Sequence, residues 1–217
     1  MPNTSSPVTR RRRLLRYSLT GAAAIAWPTF WLGARAVPPA PLALTPAQTE
    51  GPFYPVALPA DSDFDLLQTG AQVYARGQPA WLGGSVRDAE GRPVRGAQVE
   101  IWQCDEGGHY HHPADGGRAD PAFQGFGRVS VDGDGRYHFR TLRPVPYGGR
   151  TPHIHVKVRL GRRELLTTQV YVQGEPRNAR DFLWRRLDGD AQRSALTVAF
   201  IPGEGGLRAE FPIVVAA

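Results

Sequence analysis

At 217 residues the chain is long enough for one domain of ordinary size, alone or with an appendage, and either can bury a real core. Its 26 basic and 20 acidic residues give a formal charge of +6, but residues 1–36 hold six arginines and no acid, so the remainder balances at 20 against 20. The basicity therefore belongs to one end, which argues against a nucleic-acid-binding surface. A single cysteine, Cys104, excludes an internal disulfide and leaves packing, or packing plus metal, to hold the fold.

The first segment runs from the basic cluster Arg10-Arg11-Arg12-Arg13-Leu14-Leu15-Arg16 through an apolar stretch around Leu19 to Trp31, and ends at Ala34-Arg35-Ala36. Basic, apolar and then a small-residue cleavage triplet is the order of a secretory signal. The arginine pair ahead of Leu14 resembles a twin-arginine signal, whose route carries folded, cofactor-loaded proteins. A permanent membrane anchor fits less well, because the apolar run is shorter than about 18 residues and is interrupted by Ser18, Thr20 and Pro28. Residues 1–36 are thus expected to be a cleaved leader, sending the rest to the periplasm or the medium without a stable membrane anchor.

Residues 37–80 begin with a Pro- and Ala-rich stretch that has no sustained period, and are expected to form an extended arm containing Thr49-Glu50-Gly51-Pro52-Phe53-Tyr54-Pro55. From residue 81 to 217 short β-rich runs alternate with Gly, Pro and Asp clusters: 84–86, 97–102, 127–131, 136–139, 152–160, 165–172, 196–201 and 211–215. Many short strands at this spacing predict an all-β, antiparallel β-sandwich. The clusters at 88–93 and 132–135 have the chemistry of hairpin turns. One helix is predicted, between Asn178 and Leu187, on the weak stripe of Phe182, Leu183 and Leu187.

In the run 152–160, Ile154, Val156, Val158 and Leu160 alternate with His153, His155, Lys157 and Arg159. Residues two apart in a strand share a face, so both imidazoles project together, away from the core. That pattern suits chelation of a transition metal, although an isolated H-x-H is more often structural. Tyr147 precedes it in a Pro- and Gly-punctuated turn that could fold the phenol back over the histidine face. Tyr110 lies in the polar loop Gly107-Gly108-His109-Tyr110-His111-His112.

Together these pieces resemble the intradiol ring-cleavage dioxygenase family. The matching residues are Ile101-Trp102-Gln103-Cys104 leading to Tyr110, then Phe123 to Arg128, Asp134 to Thr141, and Pro146-Tyr147 through Arg150-Thr151-Pro152-His153-Ile154-His155. The resemblance implies that Tyr110, Tyr147, His153 and His155 hold a non-haem Fe(3+), with the matches of Tyr147 and His155 axial and those of Tyr110 and His153 equatorial. It implies that the substrates are a catechol-type molecule and O2, with Tyr147 leaving the metal to act as a base and the ring opening between its two hydroxyls to a cis,cis-muconate-type diacid. Arg150 matches an arginine that stabilises carbanionic charge on the ring, and Gln169 matches a supporting glutamine. A phenol ordinarily ionises near pH 10, so paired phenolates call for a strongly Lewis-acidic cation, which ferric iron is.

The chain departs from the family in two places. The loop Gly148 to Pro152 is short and has no aromatic residue, which predicts an open pocket. About 45 residues separate Val37 from Trp81, too few for the helical dimerisation domain of the catechol and hydroxyquinol branches, so the build is closer to a protocatechuate 3,4-dioxygenase-like subunit or an exported branch of its own. Homo-oligomerisation and any partner chain stay open. Two other classes compete: residues 84–99 and 134–139 also resemble prealbumin-like or carboxypeptidase-regulatory binding modules, and the histidine-rich loop could serve a copper-handling protein. The Tyr110, Tyr147, His153, His155 set separates the first, and two tyrosines with no methionine beyond Met1 argue against the second. His109, His111, His112 and His138 are expected on loops or strand surfaces, near the site mouth.

Overall fold

A computed structural model describes residues 40–217; the leader and its cleavage triplet lie outside the described residues. Residues 40–66 carry no named strand or helix, and a two-residue hairpin follows, β1 (Gln68–Thr69) with β2 (Gln72–Val73). Then come β3 (Pro79–Asp88), β4 (Ala97–Trp102), β5 (Phe126–Ser130), β6 (Arg136–Leu142), β7 (His153–Leu160) and β8 (Arg163–Val172). The C-terminal part holds α1 (Phe182–Arg185), α2 (Gly189–Ala195), β9 (Thr197–Val198), β10 (Ile201–Gly203), β11 (Gly206–Glu210) and β12 (Ile213–Val215).

Two five-stranded sheets make a β-sandwich. One has the order β5-β4-β7-β8-β9 and is called here the site sheet. In the opposite sheet β3 is central, antiparallel to β6 and parallel to β11 and β12, while β10 pairs β11. The core fills the gap with alternate residues of both sheets, among them Leu82, Val86 and Phe139 facing Val99, Ile101, Ile154, Val156 and Val170, all fully buried. The period-2 pattern that marks Ile154, Val156 and Val158 thus points inward as the alternation requires.

The structure revises several expectations. The turns at 88–93 and 132–135 have hairpin-like local bonding, Asp88 N–H to Arg92 O at 2.9 Å and Asp132 N–H to Arg136 O at 3.0 Å, but each carries the chain from one sheet to the other. Gly135 is required there: its φ is +77° and a Cβ would lie 2.7 Å from the Val86 carbonyl. The run 196–201 is two elements, because β9 pairs β8 and β10 pairs β11 in the opposite sheet. β11 has no β-branched residue to announce it, and α2 buries no residue and so has no stripe to detect. The predicted helix is a 3-10 turn, Pro176–Arg180, then α1, split where Asp181 becomes an extended N-cap. Three short C-terminal pairings, β8 with β9 and β3 with β11 and β12, are parallel rather than antiparallel.

The chain ahead of β1 positions the site. It follows the free edge of β8, where Gln48 N–H bonds Thr167 O at 2.8 Å and Thr168 Oγ1 donates to Pro46 O at 2.7 Å. It then crosses the outer face of the site sheet, burying an edge and a polar face that water would otherwise reach.

Candidate active site

β7 presents His153, His155 and Lys157 on the outer face of the site sheet, and all three are buried. The expectation that this face points away from the core holds, but 40–66 and the loops roof it. The register sets Trp102 of β4 and Gln169 of β8 on either side of His155, and Tyr171 beside His153. Trp102 stacks on the His155 ring, centroids 4.8 Å apart and planes 9° apart, which fixes that imidazole. Tyr110 arrives from the β4–β5 loop and Tyr147 from the β6–β7 loop, whose turn is closed by Arg150 N–H to Tyr147 O at 2.7 Å. The four rings surround one spot: centroids lie 4.9 Å apart for Tyr110 and Tyr147, 5.3 Å for Tyr147 and His153, 4.8 Å for His153 and His155, and 6.1 Å for Tyr110 and His155.

The donor atoms are arranged for a cation. His153 Nδ1 sits 2.6 Å from the Thr151 carbonyl, which only accepts, so Nδ1 holds the proton and Nε2 is a bare lone pair. That Nε2 faces His155 Nε2 at 3.2 Å. Burial, assisted by the Arg150 charge, lowers the His153 pKa to about 3; burial, His153 and Arg150 hold His155 well below its ordinary value, so both rings are neutral. Tyr110 Oη is buried without a hydrogen-bond partner, as is His155 Nδ1. Burial pushes the Tyr110 phenol well above its ordinary pKa, and raises Tyr147 in spite of the opposing charge of Arg150.

Without a metal, His155 Nε2–H donates to the His153 Nε2 lone pair, which leaves His155 Nδ1 and the Tyr110 hydroxyl unsatisfied, at about 1–3 kcal/mol for each buried group. A cation held by the two Nε2 atoms and the phenols would give the Tyr110 oxygen its partner, and a 3.2 Å nitrogen separation suits two imidazoles sharing one ion. Among the described residues no group of three or more His, Cys, Asp and Glu converges, so the two phenols are needed to complete a donor set. The residues present fit a hard, strongly Lewis-acidic cation.

Arg150 is held beside this spot by a buried network. Its Nε donates to Asp181 Oδ2 at 2.7 Å and its Nη2 to Gln169 Oε1 at 2.7 Å. Gln169 Nε2 in turn donates to Thr49 O at 3.0 Å. Burial alone would raise the Asp181 carboxyl, but hydrogen bonds from Arg150, Trp184 and Thr151 hold it below the usual carboxylate value. The roof above is aromatic and ionic. Phe53 stacks on Tyr110 at 4.8 Å and meets Tyr147 edge-on at 5.8 Å. Tyr54 donates to Glu100 at 2.8 Å and covers the buried ammonium of Lys157, which pairs with Glu50 and, at 3.3 Å, with Glu164. Beneath the roof, a cavity of about 460 Å³ opens against Tyr110, lined by Phe53, Trp102, Phe123, Gln124 and Phe126.

The family profile described as Dioxygenase matches residues 49–193, a span that contains every element of this site. The chain belongs to the intradiol ring-cleavage dioxygenase family. It is 34% identical over 152 residues to the hydroxyquinol 1,2-dioxygenase of Corynebacterium glutamicum, covering 61% of this chain and 47% of that protein. It is 30% identical over 163 residues to the catechol 1,2-dioxygenase of Acinetobacter baylyi, covering 67% and 51%. The chain therefore spans about half the length of these curated relatives. Among solved structures, the dioxygenase domain of a dioxygenase carbohydrate-binding protein fusion from Streptomyces sp. SirexAA-E superposes with a TM-score of 0.63 at 32% identity, covering 79% of this chain and 97% of that one.

Within this intradiol-family site the structure brings together Tyr110, Tyr147, His153 and His155, with Arg150 and Gln169 bonded to each other alongside. The remaining histidines stay apart from the donors. His109 bonds Asp115, His111 bonds the Phe123 carbonyl, and His112 caps the turn at Pro113. His138 does not border the site mouth: it lies on the outer face of the opposite sheet, next to Gly83. Sequence reasoning misses Asp181, whose only local signal is an acid standing before a short apolar run, and misses Thr151, which orients His153 through its backbone.

Proposed function

We propose that this chain is a non-haem ferric intradiol dioxygenase that opens a catechol-type ring between its two hydroxyls, placing both atoms of O2 in a cis,cis-muconate-type diacid. The observation that carries this reading is the convergence of two buried, neutral imidazoles, their Nε2 atoms 3.2 Å apart, with the buried phenol of Tyr110 that has no hydrogen-bond partner. When bound, ferric iron supplies the Lewis acidity that ionises the phenols and draws electron density from a chelated catecholate, making the ring itself reactive toward O2.

The protein's own groups divide the remaining work. His153 and His155, kept neutral by burial, act as permanent donors, and the deeply buried Tyr110 holds its place. Tyr147 is the more exposed phenol, on a loop of two glycines, and is free to swing away and accept a catechol proton at its Oη. Arg150, fixed by Asp181 and Gln169, sets a positive charge where negative charge grows on the ring. Phe53 and Trp102 keep water from the donors.

The test is the visible spectrum of the mature protein loaded with ferric iron, recorded before and after anaerobic catechol, followed by product analysis in air. A phenolate charge-transfer band that moves to longer wavelength with catechol, and a muconate-type product, are expected. A colourless ferric complex, or a coloured one that makes no ring-opened product from any catechol tried, overturns the reading. Residues 1–36 are read as a twin-arginine-type leader delivering the enzyme across the membrane; replacing all four of Arg10, Arg11, Arg12 and Arg13 by lysine should trap it inside, and unchanged export would sink that part alone.

A further inference from the structure

The outer face of the opposite sheet plays no part in ring cleavage, yet it carries a shaped site. Register places Ile201, Arg208, Trp81 and Arg140 in one row across β10, β11, β3 and β6, and Glu210, Gly83 and His138 in the next. A glycine in the middle of the second row leaves the sheet without a side chain there. The result is a surface cavity of about 550 Å³, floored by Gly83, walled by Trp81, His138, Arg208 and Glu210, and closed at one end by Glu204 and Gly205. That size falls in the range of small-ligand sites, about 300–1,000 Å³.

Its chemistry is specific. Phe64, itself exposed, lies 5.5 Å from His138 and 6.5 Å from Trp81, its ring 16° from parallel with the indole, so aromatic surface lines one flank. The indole is half-buried, so part of its surface stays open to the cavity. Glu204, Arg208, Glu210 and His138 are exposed and, among the described residues, make no side-chain hydrogen bond or ion pair with one another. Two carboxylates against one guanidinium leave the cavity with one net negative charge, which disfavours phosphates, carboxylates and nucleic acid. A ligand that suits it has an apolar face to lay on the indole and many hydroxyls to donate to carboxylates and accept from a guanidinium. That is the description of a sugar ring.

We propose that this face is a saccharide-binding site in which Trp81 is the stacking platform, Glu204 and Glu210 accept from ring hydroxyls, and Arg208 and His138 donate to them. A protein partner fits less well, since specific interfaces bury about 1,600 Å² and the feature here is one dent. The proposal is independent of the iron-site reading.

The test is calorimetric titration of the mature chain with cellohexaose, xylohexaose and chitohexaose, each used separately. At least one should bind. Trp81→Ala should weaken that binding about tenfold or more, the equivalent of about 1.4 kcal/mol. Glu210→Gln, which preserves shape and fold, should weaken it severalfold, and both variants should open catechol rings at the parent rate. The proposal is overturned if none of the three binds, if both variants bind as tightly as the parent, or if catechol competes for the same site. It is also overturned if Trp81→Ala instead abolishes a concentration-dependent self-association, which would make the face a contact between two copies.

Discussion

The two outer faces of this sandwich start from the same strand geometry and end in opposite states. On the site sheet, the row of His153, His155 and Lys157 is sealed beneath 40–66 and the β4–β5 and β6–β7 loops. On the opposite sheet, Trp81, Arg208, Glu210 and His138 keep their contact with water. Sealing a polar row forces a resolution for every polar atom on it. Lys157 is resolved by two carboxylates and an aromatic ring, and Arg150 by Asp181 and Gln169. The imidazoles are resolved only in part, through Thr151 and each other, and the Tyr110 hydroxyl has no partner, which is why this set fits a metal. Coverage, more than residue type, separates a metal-donor histidine from a surface one.

The largest test of this difference is Tyr110→Phe. Losing an outer partner of a metal ligand already costs about 10–100-fold, so losing a donor should cost ring cleavage at least about 100-fold. The same change removes a buried hydroxyl that has no partner, so the metal-free variant should melt no lower than the metal-free parent. Thermal melts with and without iron, beside turnover assays, check both halves. Full activity in the variant would end the donor assignment, and a metal-free variant much less stable than the parent would mean that Tyr110 is a packing residue.

Asp181→Asn comes next. The Asp181 carboxylate is fully buried and the Arg150 side chain nearly so, and stripping one partner from such a pair costs about 3–5 kcal/mol. Urea denaturation should register that loss. If the fold survives, kcat should fall more than KM rises, because Arg150 acts on charge that develops during reaction, while the phenolate band stays unchanged because no donor has moved. A fall in both band and kcat together would instead make Asp181 a general support of the site.

How much of this could be read in the sequence depends on whether the signal is local. The alternation of 153–160 and the turn residues at 88–93 and 132–135 give strands and sandwich, because period and turn chemistry belong to neighbouring residues. The partners of those strands were harder: β11 has no β-forming residues of its own and exists because β3 offers it an edge. The ordered tyrosines and histidines carried the site through resemblance. Asp181 did not, since it meets Arg150 only after 31 residues of chain have folded back. The burial of His153 and His155 was also invisible, because it depends on where the segment around Thr49 to Tyr54 lies.

That segment gives a smaller test. Gly51 has φ +75° and a Cβ placed there would stand 3.2 Å from His155 Cε1. Gly51→Ala should cost about 1–2 kcal/mol from the left-handed backbone alone, and should weaken ferric binding by pressing the roof off His155. Iron titration followed by the phenolate band measures the second effect. Unchanged affinity would mean that the roof can shift without disturbing the donors.

The smallest effect is expected on the uncovered face. His138 lies in the second row of the opposite sheet, beside Gly83, separated from the donor set by the whole core. As an exposed side chain free of caps, buried pairs and strained backbone, it should change stability by no more than about 0.5 kcal/mol when replaced by alanine. Iron content, phenolate band and ring-cleavage rate should match the parent within error. The control matters because His138 is as capable of binding metal as His153 and differs only in surroundings. If His138→Ala lowered iron content, the metal would be held by histidines wherever they occur, and the contrast between a sealed face and an open one would lose its meaning.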